Sequence, residues 1–181
     1  MYRRFSVVAA CAAAVLAVPT TTGAAQTRAN TFDGSCDFAV KVSFDPPLTN
    51  TPQDIDQTVR GTGLCTGTFV DRGGRTHQLS DAPIGYDSFS HAENSSCLAG
   101  LNMGSGVLAF PYGKLRFAFT ERRATAVPTL EYTGLAGGSA FGQGEPSQSS
   151  DPTAAVQACA GSGLQSFDVD GRLQTTPSIS G

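Results

Sequence analysis

The strongest pattern in the chain is a two-residue alternation of apolar and polar side chains. Cys36, Phe38, Val40, Val42 and Phe44 share one phase, while Asp37, Lys41 and Ser43 occupy the other. That is the rhythm of a strand with one buried face. Asp45-Pro46-Pro47 is expected to stop it, because proline cannot continue a hydrogen-bonded ladder. Alternation resumes from Val59 to Val70, with Arg60, Thr62, Thr66 and Thr68 on a polar face and Val59, Cys65 and Phe69 opposite. Gly61, Gly63 and Gly67 are expected at bulges or a sharp bend. Asp71-Arg72-Gly73-Gly74 reads as a turn, and short strands follow near 75–80 and 83–91, divided by Asp81-Ala82-Pro83. The clearest hairpin joins Val107–Phe110 to Leu115–Thr120 through Pro111-Tyr112-Gly113-Lys114. Strands are also expected at 127–133 and 137–141, and a last hairpin joins Phe167–Val169 to Arg172–Thr175 across Asp170-Gly171.

One helix interrupts the strands. Asp151 is a good cap, Pro152 suits the first turn, Thr153 to Ala160 is alanine-rich, and Gly161 is placed to end it. Two turns are marginal alone, so the helix needs a pin, and Cys159 is the natural one. The whole reads as an all-β protein of about ten short strands with one short helix near 151–160. An antiparallel β-sandwich is the expected architecture, and a partly open β-barrel is the alternative.

The first residues change the picture of where the chain works. Arg3 and Arg4, the apolar run from Phe5 to Val18, and Gly23-Ala24-Ala25 form the three parts of a signal peptide, expected over 1–25. A polar, mobile start is expected over 26–35, and a single disulfide-stapled β domain over 36–181. Val8-Ala9-Ala10-Cys11 offers the alternative of a lipid anchor on Cys11, but the apolar run continues past Cys11, where a lipoprotein signal ends. No later segment is long and apolar enough to span a bilayer as a helix. The expected location is therefore secreted and extracellular.

With the leader gone, Cys36, Cys65, Cys97 and Cys159 remain, an even set in an oxidising compartment. Cys36 and Cys65 lie on the apolar faces of their strands and are expected to pair. Cys97 is then expected to bond Cys159 on the helix. Loss of Arg3 and Arg4 lowers the basic count from 12 to 10 against 15 acidic residues, a net charge of about −5. That disfavours nucleic acid and anionic membrane surfaces as partners. The one remaining adjacent basic pair, Arg122-Arg123, is expected at a water-exposed strand end.

No catalytic motif survives. Asp168-Val169-Asp170-Gly171 resembles part of a calcium loop, but Pro177 stands where the bidentate Glu is required. The glycine-rich run Gly134 to Gly144 lacks the following helix and lysine of a phosphate loop, and close backbone contact explains it. Neither a metal nor a cofactor is expected. His77 and His91, with Asp81, are the only candidates for an assembled acid–base or metal site. Tyr86 and Tyr112, in turn or loop contexts, are the candidates for a ligand platform, and Asn94-Ser95-Ser96 is a glycosylation sequon. The expectation is a secreted, non-enzymatic binding module for an extracellular protein, a glycan or a small apolar ligand. Its loops at 45–56, 92–104 and 142–150 are the expected binding segments. A secreted hydrolase using His77 or His91 is the first alternative, and a structural cell-envelope protein the second.

Overall fold

A computed structural model describes residues 28–124 and 127–181. The leader expected over 1–25, with Cys11, lies outside the described residues. The chain forms eight antiparallel strands in sequence order: β1 (Thr31–Leu48), β2 (Gln53–Val70), β3 (Thr76–Ser95), β4 (Gly100–Phe110), β5 (Gly113–Arg123), β6 (Thr129–Gly134), β7 (Gly137–Pro146) and β8 (Leu164–Ser180). A helix, α1 (Pro152–Ala160), sits between β7 and β8. Each strand pairs with the next, and β8 pairs back onto β1 through contacts such as Val40 with Val169, so the barrel is closed. Every strand has a neighbour on both sides, although β3 pairs with β4 only over Gly85–His91.

The sandwich expectation is thus corrected to a closed barrel, and the expected ten or so short strands to eight strands, most of them longer. Three supposed breaks explain the difference. Asp45-Pro46-Pro47 lies within β1, which runs on to Leu48. Asp81-Ala82-Pro83 lies within β3, where Asp81 adopts φ 49° and the register against β2 slips between Cys65 and Gly67. Asp170-Gly171, expected as a hairpin turn, lies in mid-strand, with Gly171 opposite Phe38 on one side and Gly144 on the other. At Asp81 and at Asp170-Gly171 neighbouring strands continue the ladder past the local turn signal, whereas at Asp45-Pro46-Pro47 the pairing with β2 ends at Asp45 and that with β8 is interrupted between Ser43 and Leu48, as proline requires. At the N-terminus, β1 begins at Thr31, inside the segment expected to be a mobile start, and Asn30 before it is buried. The helix lies where expected, with the Asp151 side chain accepting from the Thr153 and Ala154 amides.

Most inward positions carry the apolar phase, and most charged side chains lie outward. Ion pairs cross the outer surface, Lys41 with Asp168 at 3.1 Å and Arg60 with Asp87 at 3.6 Å. Such exposed pairs contribute about 0–1 kcal/mol each. Inside, several bulky side chains lie over a glycine of an adjacent strand. A Cβ at Gly63 would meet the Phe38 ring at 2.6 Å, and one at Gly106 the Phe117 ring at 2.5 Å. Gly63 and Gly106 therefore make room for aromatic rings inside the barrel.

The two halves of the interior differ. At the end formed by the β2–β3 and β4–β5 turns, Phe110 packs at a tilt against both Phe32 and Phe69, with centroids 5.0 and 4.7 Å apart. Leu108, Leu115, Leu173 and Ile179 complete this solid core. The Cys36–Cys65 disulfide joins directly opposed residues of β1 and β2 beside it. Toward the other end the packing opens.

Candidate functional site

The open half encloses a cavity of about 340 Å³. That is within the range of roughly 300–1,000 Å³ typical of small-molecule sites, and near its lower end. One wall is apolar: Phe38, Val42 and Phe44 from β1 face it together with Phe167 and Val169 from β8. The opposite wall mixes polar groups into the barrel, with Gln57 from β2, Tyr86 and Ser88 from β3, Glu121 and Arg123 from β5 and Tyr132 from β6.

The polar wall is organised as a chain. Asn102 Nδ2 donates to Gln57 Oε1 at 2.6 Å, and Gln57 Nε2 donates to Glu121 Oε2 at 2.7 Å. Arg123 Nε lies 3.8 Å from Glu121 Oε1, an ion pair too long for a hydrogen bond. Arg123 Nη2 donates to Ser95 Oγ at 3.0 Å, and the guanidinium lies over the Phe44 ring, 5.6 Å from its centroid. Arg123 is only 9 % exposed, and its Nε–H has no hydrogen-bond partner. Burial pushes the Arg123 pKa below its ordinary value while the Glu121 charge opposes the shift; an arginine remains charged regardless.

Deeper in, the Tyr86 and Tyr132 hydroxyls approach to 3.5 Å, and Phe117 packs edge-on to Tyr132. Burial raises the Tyr86 pKa, and burial with the neighbouring Tyr86 raises that of Tyr132 well above the ordinary tyrosine value. The folded protein thus keeps protons that the unfolded chain loses above about pH 10. Stability is therefore expected to fall as pH rises past that point, with the phenolate absorbance of these two residues appearing only together with unfolding. Their ionisation in a still-folded protein, followed by absorbance and circular dichroism together, would show that they are not sealed inside.

The mouth is formed where the short β1–β2 and β3–β4 connections meet α1; the segments 45–56, 92–104 and 142–150, expected as loops, are mostly strand. Cys97 N donates to Thr49 O, and Asn50 N donates to Cys159 O, tying the β1–β2 connection, the β3–β4 connection and α1 together. The Cys97–Cys159 disulfide joins the last two across 62 residues of sequence. α1 buries none of its own residues, yet Pro152, Ala155 and Val156 border the cavity. It borders the cavity and is tethered at Cys159. Leu98 and Val156, 69 % and 68 % exposed, sit at the cavity rim.

The other residues singled out from the sequence fall elsewhere. Tyr86 is buried in the cavity wall, but Tyr112 lies at the opposite end of the barrel, stacked on His77 at 3.9 Å, so the two form no common platform. His77 bonds Asp71 at 3.0 Å, and that bond holds the Asp71 carboxyl below its ordinary pKa. His91, near the other end of β3, bonds the exposed Asp56 at 2.8 Å, which raises the His91 pKa. Asp81 bonds Thr66 instead of either histidine. Neither histidine lines the cavity. Asn94 is exposed with φ 52°, its amide bonded to Asp54 Oδ1. Arg122-Arg123 is not a uniformly wet strand end: Arg122 is exposed and Arg123 buried, because they occupy opposite phases of β5.

The functional residues missed in the sequence are Gln57, Asn102, Glu121 and Arg123. Their signal was phase: Gln57 is in step with Val59, and Glu121 and Arg123 are in step with Leu115, Phe117 and Phe119, so polar side chains stand where apolar ones belong. The fold and site together define a closed eight-stranded antiparallel barrel with an internal cavity bordered by α1. The chain matches no protein-family model, no curated protein and no solved structure. Among the described residues no helix is long and apolar enough to cross a membrane.

Proposed function

We propose that this protein is an exported binding protein that holds one compact, mainly apolar molecule inside its barrel. The observation that carries the reading is the cavity of about 340 Å³, walled by aromatic and aliphatic side chains with a few convergent polar groups. An eight-stranded barrel is wide enough either to be filled by side chains or to hold one small ligand. Here one half is filled and the other is not. Binding is favoured over catalysis because the polar wall pairs Gln57 with Asn102 and Glu121, while both histidines face other surroundings. Two disulfides and the N-terminal leader pattern support an extracellular setting.

The test is thermal. A neutral ten-carbon alcohol at about a hundred times its dissociation constant should stabilise the folded state by about 2.7 kcal/mol. For a domain of this size that raises the melting temperature by roughly 5–10 °C. An unchanged melting temperature across short-chain and aromatic alcohols would contradict an internal apolar site.

A further inference from the structure

We propose that the molecule held in this cavity carries a carboxylate and that Arg123 binds it. The proposal rests on the reading of the cavity as a ligand site and specifies the ligand's head group. Arg123 is buried, borders the cavity, and keeps an Nε–H that no protein atom accepts. A buried donor normally has a partner, and a guanidinium offers its N–H groups in a fork that matches two carboxylate oxygens. The guanidinium is also held in place before any ligand arrives. Ser95 Oγ accepts from Nη2, Phe44 supports the cation from one side, and Gly100, directly opposite Arg123 in the β4–β5 ladder, leaves the space it occupies. A Cβ at Gly100 would lie 2.5 Å from Ser95 Oγ and 2.9 Å from Arg123 Nη2.

Glu121 does not satisfy this cation. Its Oε2 is bound by Gln57, which Asn102 holds in turn, and its Oε1 stays 3.8 Å from Arg123 Nε. Glu121 also sits two residues deeper along β5 than Arg123, which is the last residue of the strand and nearest the mouth. A carboxylate coming to rest at the mouth end would therefore meet Arg123 before Glu121. A ligand with two negative charges would bring the second one against Glu121, so the site favours a monoanion. The ligand's apolar body would then extend toward Phe38, Val42 and Val169.

The test compares decanoic acid, 1-decanol and decylamine as competitors of a neutral fluorescent naphthylamine probe, using the disulfide-bonded protein at neutral pH. The acid should displace the probe at concentrations about ten-fold or more below the alcohol, the scale of one charge-assisted hydrogen bond. Arg123→Gln should bring acid and alcohol together, Arg123→Lys should keep part of the preference, and Gly100→Ala, which crowds Arg123 without removing it, should weaken the acid selectively. Equal displacement by acid and alcohol in the unaltered protein would overturn the carboxylate proposal while leaving the apolar site intact. Tightest displacement by decylamine would overturn it in favour of Glu121 as the reader. Failure of the probe and all three competitors to bind would remove the cavity reading as well. The comparison within the unaltered protein decides the matter even if Arg123→Gln does not fold.

Discussion

Replacing Glu121 with leucine is expected to destabilise the protein by about 3–5 kcal/mol, the usual consequence of leaving a buried charge without its partner. The stranded charge would be Arg123, whose nearest carboxylate oxygen is that of Glu121. The change would also leave Gln57 Nε2 without its acceptor. Replacing both Glu121 and Arg123 with leucine should recover most of that loss, because no buried charge is then left unpaired, with a residual cost of about 1–3 kcal/mol from Gln57 Nε2, which still lacks its acceptor. Urea denaturation with a constant m-value provides the measurement. A loss below about 1 kcal/mol for Glu121→Leu would show that Arg123 reaches water, as an exposed ion pair does. Recovery of stability in the double variant, joined to loss of the preference for a carboxylate, would mean that the pair is kept for the ligand and not for the fold.

Removing the second disulfide by changing Cys97 and Cys159 to serine should lower stability by about 4 kcal/mol on the loop-entropy account, given the 62-residue separation. The same double variant should release ligand faster, because α1 buries no residue of its own and is held at its C-terminal end by that disulfide and the Asn50–Cys159 hydrogen bond. Cys36 and Cys65 provide the control. Their bond closes a 29-residue separation and does not border the cavity. Its removal should cost about 3–4 kcal/mol while leaving the release rate unchanged. Stopped-flow displacement distinguishes the two variants. If both release ligand equally, α1 is not a cover.

Much of the strand content was legible because alternation is a local property. Cys36 to Phe44 and Leu115 to Phe119 read the same in sequence and structure, since each has one face against the interior. The closed topology was not legible. Whether Asp170-Gly171 turns the chain or passes through mid-strand depends on β1 and β7 lying on either side, and those partners are more than a hundred and about twenty-seven residues away in sequence, as the Gly171 pairings with Phe38 and Gly144 show. Of the β2 glycines read as bulges or bends, Gly67 does lie at a register shift, whereas Gly63 lies beneath the Phe38 ring and Gly61 packs against the β1 backbone and Val40. The disulfide pairing was accessible from phase and from the need of a short helix for a tether. The polar wall was accessible in principle, because Gln57, Glu121 and Arg123 break the apolar phase. Only the barrel shows that these breaks converge on one cavity. His77 and His91 lie fourteen residues apart on β3, which at about 3.3 Å per residue puts them near opposite ends of the barrel, beside Asp71 and Asp56 respectively.

The ligand is expected inside the barrel and not on its outer wall. Phe89, Leu101 and Met103 form the competing surface, exposed on the outside of β3 and β4. Amide and methyl chemical shifts measured during titration with decanoic acid discriminate between the two. Saturable shifts at Phe38, Val42, Val169 and Arg123, with Phe89 and Met103 unmoved, are the predicted result. Shifts confined to Phe89, Leu101 and Met103, with the interior silent, would contradict it.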